Sequence, residues 1–205
     1  MIEVVKNILI TIFVLFFTTG ISSNENSELI IKDNDFFIGD EDAPVTIIEY
    51  ASMSCSHCAD FHNDTLDELK KEYIDTGKVK FVFRDFPFNY PALAGSMMMR
   101  CVPNDVRYDY MNALYKLQKN WVVRDNIKTK SELYKIMQSG GMLQDEFDAC
   151  LSDQNMENDI LEGVMNAQRE FNIRSTPTFI INGIIYSGNK NIKEFRQIID
   201  KILSQ

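Results

Sequence analysis

The chain has 205 residues, a formal net charge of −9, 45% hydrophobic residues and four cysteines. This length is enough for one domain whose hydrophobic core needs no disulfide support. The acidic charge, without any basic run, argues against nucleic acid or an anionic lipid surface as a partner. We therefore expect a single globular domain with neither kind of partner.

The first 23 residues have the pattern of a secretory signal peptide. Lys6 precedes an apolar run from Ile8 to Phe17, and small and polar residues follow. An apolar run of roughly 10 to 15 residues is short for a membrane span, which needs about 20. We expect cleavage and export, with an uncleaved anchor as the alternative, and a polar tether over residues 24–35.

Residues 36–91 are predicted to form a strand–helix–strand unit. A short strand over Phe36–Ile38 comes first, and the β-branched run Val45–Tyr50 predicts a buried strand. Apolar positions at helical spacing predict a helix from about His57 to Ile74, and Val79–Arg84 predicts the next strand. This order is typical of the first half of an α/β sheet protein.

Residues 92–155 predict an α-helical insertion, because they show helical periodicity and no convincing strand. One helix is expected behind the capping box Thr129-x-x-Glu132. Residues 156–205 then predict a helix, a hairpin turning at Asn182-Gly183 and a last helix behind the box Asn191-x-x-Glu194. The whole order predicts an α/β fold, a thioredoxin-like central mixed sheet with an inserted α-helical subdomain.

Cys55 and Cys58 form a Cys-x-x-Cys pair between the predicted strand and helix. Unpaired amides and the positive end of the dipole at a helix N-terminus favour an anionic sulfur, so Cys55 is a candidate nucleophile of low pKa. Cys58, nearly one turn further on, can close a disulfide with it. A positive or hydrogen-bonding imidazole of His57 between them is expected to stabilise the thiolate of Cys55, which would make the disulfide more oxidising. The pair indicates redox chemistry rather than a static bridge.

The remaining cysteines and histidine allow simpler interpretations. Cys58 and His62 have the spacing of two metal ligands, but no fourth ligand is obvious. We therefore expect no metal, and a His62 that faces solvent or lies near a helix cap. Cys101 and Cys150 both fall in the helical insertion, where we expect a structural disulfide, with two buried thiols as the alternative.

The chain resembles DsbA-family thiol:disulfide oxidoreductases over nearly all of its predicted mature part. The resemblance is carried by three motifs in order: Gly39-x-x-x-Ala-Pro-Val-Thr-Ile-Ile-Glu-Tyr, Cys-Ser-His-Cys and Ser-Thr-Pro-Thr-Phe-Ile-Ile-Asn-Gly. It implies that Pro177 is a cis-proline beside the cysteines, and that the backbone of Thr176 pairs with an extended peptide substrate. It also implies that Glu49 is a buried acid that assists proton movement at the inner cysteine.

Alternatives to these roles follow from the residues themselves. Without the resemblance, Glu49 is a half-buried strand carboxylate paired with Lys80 or Arg84 on the next strand. Ser56 and Thr176, the candidate substrate-binding residues, depart from the commonest oxidase pattern, which has proline and valine at these positions. Both departures bear on the redox potential, and a threonine before the cis-proline is also found in related disulfide isomerases.

The resemblance implies an exported, periplasmic dithiol oxidase that introduces disulfides into reduced secreted proteins. We expect a monomer that uses no cofactor besides its own Cys55–Cys58 disulfide and is reoxidised by a membrane thiol oxidase of the DsbB type. An isomerase or reductase with the same cysteines is the first alternative. A non-catalytic thiol or metal-binding carrier on a thioredoxin scaffold is the second.

Overall fold

The computed structural model describes residue 31 and residues 35–205. The predicted leader, residues 1–23, and most of the predicted tether, residues 24–35, lie outside the described residues. The strands are β1 Phe36–Ile38, β2 Val45–Ala51, β3 Val79–Asp85, β4 Thr178–Ile181 and β5 Ile184–Ser187. The helices are α1 Ser56–Asp64, α2 Leu66–Leu69, α3 Tyr90–Cys101, α4 Asn104–Lys116, α5 Gln118–Trp121, α6 Asn126–Ser139, α7 Gln144–Leu151, α8 Gln154–Phe171 and α9 Ile192–Leu203.

The strands form one mixed sheet in the order β1-β3-β2-β4-β5. Strand β2 runs parallel to β3, whereas the other neighbouring pairs are antiparallel. The register pairs Tyr50 near the end of β2 with Thr178 at the start of β4. The loops that follow β2 and precede β4 therefore meet at the same edge of the sheet. The predicted mixed sheet is confirmed.

Alternate residues of the central strands feed two cores, as the two-residue period of a strand requires. Ile47 points to the face covered by α1, α2 and α9, where it packs in a cluster with Phe61 and Phe195. Ile48 points to the opposite face, where its cluster includes Ala167 and Phe171 of α8. Residues 90–151 supply α3 to α7, whose buried side chains form a third cluster that includes Cys58. The predicted helical insertion therefore packs directly against the Cys-x-x-Cys helix.

Two predicted helices differ from the structure in detail. The helix expected from His57 to Ile74 is divided at Thr65 into α1, α2 and a π-helical turn over Lys70–Ile74. Helix α6 begins at Asn126, because the Asp125 side chain accepts hydrogen bonds from the amides of Ile127 and Lys128. The prediction that the helix would be capped by a box at Thr129 is therefore wrong. Thr129 is buried one turn inside the helix, where tertiary packing overrides the local pattern.

Other local predictions agree with the structure. Asn191 and Glu194 form the expected capping box at the start of α9. Cys101 on α3 and Cys150 on α7 are joined by a disulfide, with their Cα atoms 6.2 Å apart. Among the helices of the described part of the chain, none has the length and apolar character needed to cross a bilayer.

Candidate active site

The outer cysteine lies where the central strand meets a helix. Strand β2 is buried over most of its length and is followed by the turn Ser52–Ser54, in which the amide of Cys55 donates to the carbonyl of Ser52 at 3.0 Å. Cys55 is the N-cap residue of α1 and has extended backbone dihedrals. No side chain caps this helix. Its first backbone amides therefore remain available to the Cys55 sulfur, because no other side-chain acceptor competes for them.

The loop before β4 brings a cis peptide bond to the same place. Thr176–Pro177 is cis, both residues are buried, and β4 starts immediately afterwards at Thr178. Because β4 pairs with β2, Thr176 lies beside Cys55, and the sulfur of Cys55, when protonated, donates to the Thr176 carbonyl at 3.4 Å. Residues 121 positions apart thus form one site.

The two thiols differ in environment and in pKa. Cys55 is half-buried, and its pKa is lowered from 9.0 to about 5. A hydrogen bond from Cys58 is the largest cause, and the side chain of Thr176 and the backbone amides of Cys58 and His57 lower the pKa further against the opposing effect of burial. Cys58 is fully buried, and burial is the main cause that raises its pKa far above its usual value. Both cysteines are free thiols here, so near neutral pH the pair consists of an outer thiolate and an inner thiol.

Beneath the inner cysteine lies a buried carboxylate–imidazole pair. Glu49 on β2 and His62 on α1 are 0% and 1% exposed, and Glu49 Oε2 is 2.9 Å from His62 Nε2. The alternative partners for Glu49 do not contact it, since Arg84 bonds to Asp35 and Lys80 donates to a backbone carbonyl. The expectation of a solvent-facing His62 is wrong, whereas the alternative of a place near a helix cap agrees with the structure, since His62 lies in the last turn of α1 before the C-cap Thr65. Its place one turn after Cys58, on the same face of α1, is the signal that predicts its burial.

The two residues between the cysteines face solvent. Ser56 is exposed, and the His57 ring is 71% exposed, with Nδ1 3.5 Å from Asp60 Oδ2 on the next turn. The contribution of His57 to the low pKa of Cys55 comes from its backbone amide. Ser56 and His57 thus offer surface around the thiolate, and the backbone amide of His57 adds to the stabilisation that the Cys58 and Thr176 side chains give.

The helical insertion holds the active-site loop through contacts that the sequence did not reveal. Buried Gln118 on α5 donates from one amide nitrogen to the carbonyls of Met53 and Cys55, at 3.0 and 2.9 Å. On the other side, Ser54 donates from its hydroxyl to Asn89, the N-cap of α3, at 3.0 Å. These bonds fix the turn that presents Cys55 to solvent.

The rest of the described chain bears on metal binding and on the second cysteine pair. No group of three or more metal-ligating side chains occurs among the described residues, and His62 is bonded to Glu49 rather than poised with Cys58 for a metal. The Cys101–Cys150 disulfide lies in the cluster of buried residues between α3 and α7. The two cysteine pairs are therefore separate: one free at a helix start, the other bonded within the insertion.

Comparison with known proteins gives consistent relatives. A family model described as Thioredoxin matches residues 32–201. The protein-disulfide oxidoreductase of Rickettsia bellii is 30% identical over 177 residues, which cover 85% of this chain and 67% of that protein. The crystal structure of Wolbachia pipientis alpha-DsbA1 is 30% identical with a TM-score of 0.82, covering 87% of this chain and 96% of that one. Disulfide bond formation protein D of Bacillus subtilis is 26% identical, covering 81% of this chain and 76% of that protein.

Fold and site together define a thioredoxin-fold protein with a redox-active cysteine pair. The chain belongs to the thioredoxin family and, within it, to the DsbA-type thiol:disulfide oxidoreductases. The family and the class of enzyme predicted from the sequence are confirmed. The chain spans between 62% and 67% of the length of the first rickettsial relatives it matches, so their substrates and partners are considered below as proposals.

Proposed function

We propose that this protein is an exported dithiol oxidase that introduces disulfides into reduced secreted proteins through Cys55 and Cys58. The observation that carries the direction of transfer is the separation of the two thiols, because the pKa of Cys55 is lowered to about 5 whereas that of Cys58 is raised. A stabilised thiolate at Cys55 favours the reduced dithiol over the disulfide. The oxidised form is therefore a good disulfide donor.

The reaction consists of two exchanges at one sulfur. A substrate thiolate attacks the Cys55 sulfur of the Cys55–Cys58 disulfide, the disulfide breaks, and Cys58 leaves with the electron pair. A second substrate thiolate then attacks the substrate sulfur of the mixed disulfide and releases Cys55 as a thiolate. The substrate gains one disulfide, and the enzyme pair is reduced by the same two electrons.

The residues around the cysteines have distinct roles in this proposal. The exposed Ser56 and the backbone of Thr176, held by cis-Pro177, receive the extended substrate strand next to Cys55. The backbone amide of His57 stabilises the thiolate of Cys55. Glu49, buried near Cys58, assists proton movement at this inner cysteine. The half-buried position of Cys55 supports this arrangement, since its sulfur is reachable whereas that of Cys58 is not.

The proposed setting is the periplasm, and the proposed partners follow from the chemistry. The signal-peptide pattern of residues 1–23 supports export, and the Bacillus subtilis relative is named a disulfide bond formation protein. Each cycle leaves the enzyme reduced, so a membrane thiol oxidase of the DsbB type is the proposed reoxidant. The protein acts as a monomer and without nucleic acid.

Equilibration in glutathione buffers tests the direction of transfer. The Cys55–Cys58 pair is expected to be a stronger oxidant than glutathione disulfide, and the oxidised protein should form disulfides in a reduced model substrate faster than it repairs a scrambled one. Cys55→Ser should abolish both activities, and Cys58→Ser should trap mixed disulfides on Cys55. A strongly reducing potential without oxidase turnover contradicts the proposal, and preferential repair of the scrambled substrate favours an isomerase.

A further inference from the structure

His62 is a buried titratable residue that has no role in the exchange steps described above. Its ring is 1% exposed and meets the equally buried Glu49 at 2.9 Å. His62 lies four residues after Cys58, so the two side chains occupy adjacent turns on one face of α1. The Glu49–His62 pair is thereby placed against the inner cysteine.

The walls around this pair are aromatic. The His62 ring stacks on Tyr115 of α4 with centroids 4.0 Å apart, and the rings of Phe61 and Phe83 lie at 5.4 and 5.9 Å. Removing a carboxylate and an imidazole from water is costly, and apolar residues of similar volume would fill such a site at least as well. Packing alone therefore does not account for the pair.

Each partner also keeps one buried polar atom without a hydrogen bond. Among the described residues, neither Glu49 Oε1 nor His62 Nδ1 has a partner. Buried polar atoms are almost always bonded, and an exception calls for an explanation. A free carboxylate oxygen and a free ring nitrogen are positions at which a proton can be taken up or released.

Electrostatic coupling connects the pair to Cys58. After burial and the hydrogen bond with Cys55, the negative charge of Glu49 is the next cause that raises the pKa of Cys58. The pKa of Tyr115 is raised by burial and then by Cys58 and Glu49, with smaller effects of Asp85 and Cys55. The charged groups that raise the pKa of Cys58 and of Tyr115 on α4 therefore lie on or beside α1, β2 and β3.

We propose that His62 is a positioning residue that, through Glu49, holds the proton which Cys58 takes up on leaving the disulfide and returns before it attacks. The inference rests on the proposed exchange at Cys55 and Cys58 and adds to it the source of a proton. Cys58 is enclosed, and the Glu49–His62 pair is an acid–base pair enclosed with it.

The step balances in both directions. When a substrate thiolate attacks Cys55, the S–S electron pair goes to the Cys58 sulfur, and a proton passes from the Glu49–His62 pair to that sulfur. In reverse, the Cys58 thiol gives its proton to the pair, and its sulfur attacks the Cys55 sulfur of a mixed disulfide. The substrate leaves as a thiolate, and no oxidant other than the disulfide is consumed.

The variant His62→Gln distinguishes a role of His62 in proton transfer from a role in packing. Glutamine can still donate a hydrogen bond to Glu49 but cannot carry a proton near neutral pH. Resolution of a Cys55–glutathione mixed disulfide by Cys58 should slow on the order of 100-fold at pH 7, with the deficit shrinking as pH rises. The absorbance titration of the Cys55 thiolate should remain near its native midpoint. A variant with Glu49→Gln and His62→Gln should be no slower than Glu49→Gln alone.

The outcomes are distinguishable from those of the proposed function. If the native protein forms no mixed disulfide on Cys55, the proposed function fails. If it forms one and His62→Gln resolves it with the native rate and pH profile, the role of His62 is refuted and the exchange reaction stands.

A measurement on the native protein covers the case in which the variants do not fold. The chain has two histidines, so ¹⁵N labelling of histidine gives one buried and one exposed ring. The ring shifts of His62 are expected to report a different protonation state or tautomer in the oxidised and reduced proteins. The ring shifts of the exposed His57 serve as the reference in both redox states. Identical His62 shifts in the two redox states from pH 5 to 9 would overturn the proposal.

Discussion

At the scale of single residues, the chemistry depends on two identical side chains held in opposite environments. Cys55 is half-buried at a helix start with donors around its sulfur, whereas Cys58 is enclosed in the core. A donor stabilises the thiolate and burial destabilises it, so the same thiol is acidic in one position and stays protonated in the other. Near neutral pH the thiolate is therefore that of Cys55, the more accessible of the two cysteines.

Replacing Cys58 with alanine is expected to raise the pKa of Cys55. The change removes the hydrogen bond from Cys58, which is the largest cause of the low value, and leaves burial to oppose ionisation. The thiolate absorbance of Cys55 at 240 nm should then titrate at a clearly higher pH than about 5. His57→Ala provides the comparison: its ring is 71% exposed and its backbone amide remains, so its shift should be smaller. Equal shifts in both variants would contradict this assignment.

The same titration has a consequence for stability, whose sign follows from the direction of the shift. The folded pKa of Cys55 lies below its unfolded value, so the thiolate stabilises the reduced protein above the unfolded pKa, and this contribution is lost as pH falls through about 5. The unfolding free energy of the reduced protein should rise between pH 5 and 9 relative to that of Cys55→Ser. Parallel stability curves from urea unfolding would exclude this linkage.

At residue level, the sequence predicted the positions that local motifs define and missed one that packing defines. Cys55, Cys58 and the Thr176–Pro177 bond were placed by motif and resemblance. The burial of His62 depends on Tyr115, which reaches it from a helix more than fifty residues later. The spacing from Cys58 places His62 on the same face of α1, but no local pattern specifies that Tyr115 will cover that face.

At the scale of elements, α3 packs closely against the active-site turn at Gly95. A Cβ added at Gly95 would lie 2.9 Å from Met53 Cβ and 2.9 Å from the Trp121 ring. Glycine here is required for close approach of the helix to the loop that carries Cys55, and not for its backbone conformation. Packing of α3 therefore sets how far the turn can move.

Gly95→Ala should destabilise the protein by about 1 to 3 kcal/mol, the usual cost of overpacking a core. Gly163→Ala on α8 is the matched control, since nothing lies within 4 Å of its added Cβ. That change should be neutral or stabilise by up to about 1 kcal/mol, because alanine has the higher helix propensity. Urea unfolding at one pH measures both, and equal effects would refute close packing at Gly95.

The bonds from α5 to the active-site loop lead to another prediction. Gln118→Ala leaves the carbonyls of Met53 and Cys55 without their buried donor, which should lower the unfolding free energy by about 1 to 3 kcal/mol. Gln138→Ala removes an exposed bond to Tyr134 and should cost much less. The rate of mixed-disulfide formation on Cys55 should fall only in the first variant, as its loop loosens. Unchanged rates in both variants would show that α5 does not hold the loop.

Helix caps illustrate where local prediction succeeds at this scale. The box at Asn191 is exposed and complete within four residues, so its pattern determines the start of α9. The similar pattern at Thr129 is overridden, because Thr129 is buried and its hydroxyl donates to the Val123 carbonyl. A side chain that is buried and hydrogen-bonded elsewhere in the fold cannot cap the end of a helix.

At the scale of the whole molecule, the helical insertion interrupts the sequence of the sheet but not the sheet itself. Strands β1 to β3 precede the insertion, and β4 and β5 follow it, yet β2 and β4 are neighbours. The order of predicted elements was enough to predict this fold class. It did not predict how the insertion contacts the site, since Gln118, Asn89 and Gly95 act through distances that only the folded chain defines.

The Cys101–Cys150 disulfide closes a loop of 49 residues that contains α4 to α6. A cross-link of this length lowers the entropy of the unfolded chain, so Cys101→Ala with Cys150→Ala should lower the unfolding free energy by about 2 to 4 kcal/mol.

The comparison is best made in a Cys55→Ser, Cys58→Ser background, where this disulfide is the only redox-sensitive bond among the described residues. In that background a reductant should destabilise the protein with Cys101 and Cys150 and leave the alanine variant unchanged. If the reductant has no effect on either protein, the bond does not constrain the insertion. The stability of the α-helical block would then come from its buried cluster around Trp121 and Phe147 alone.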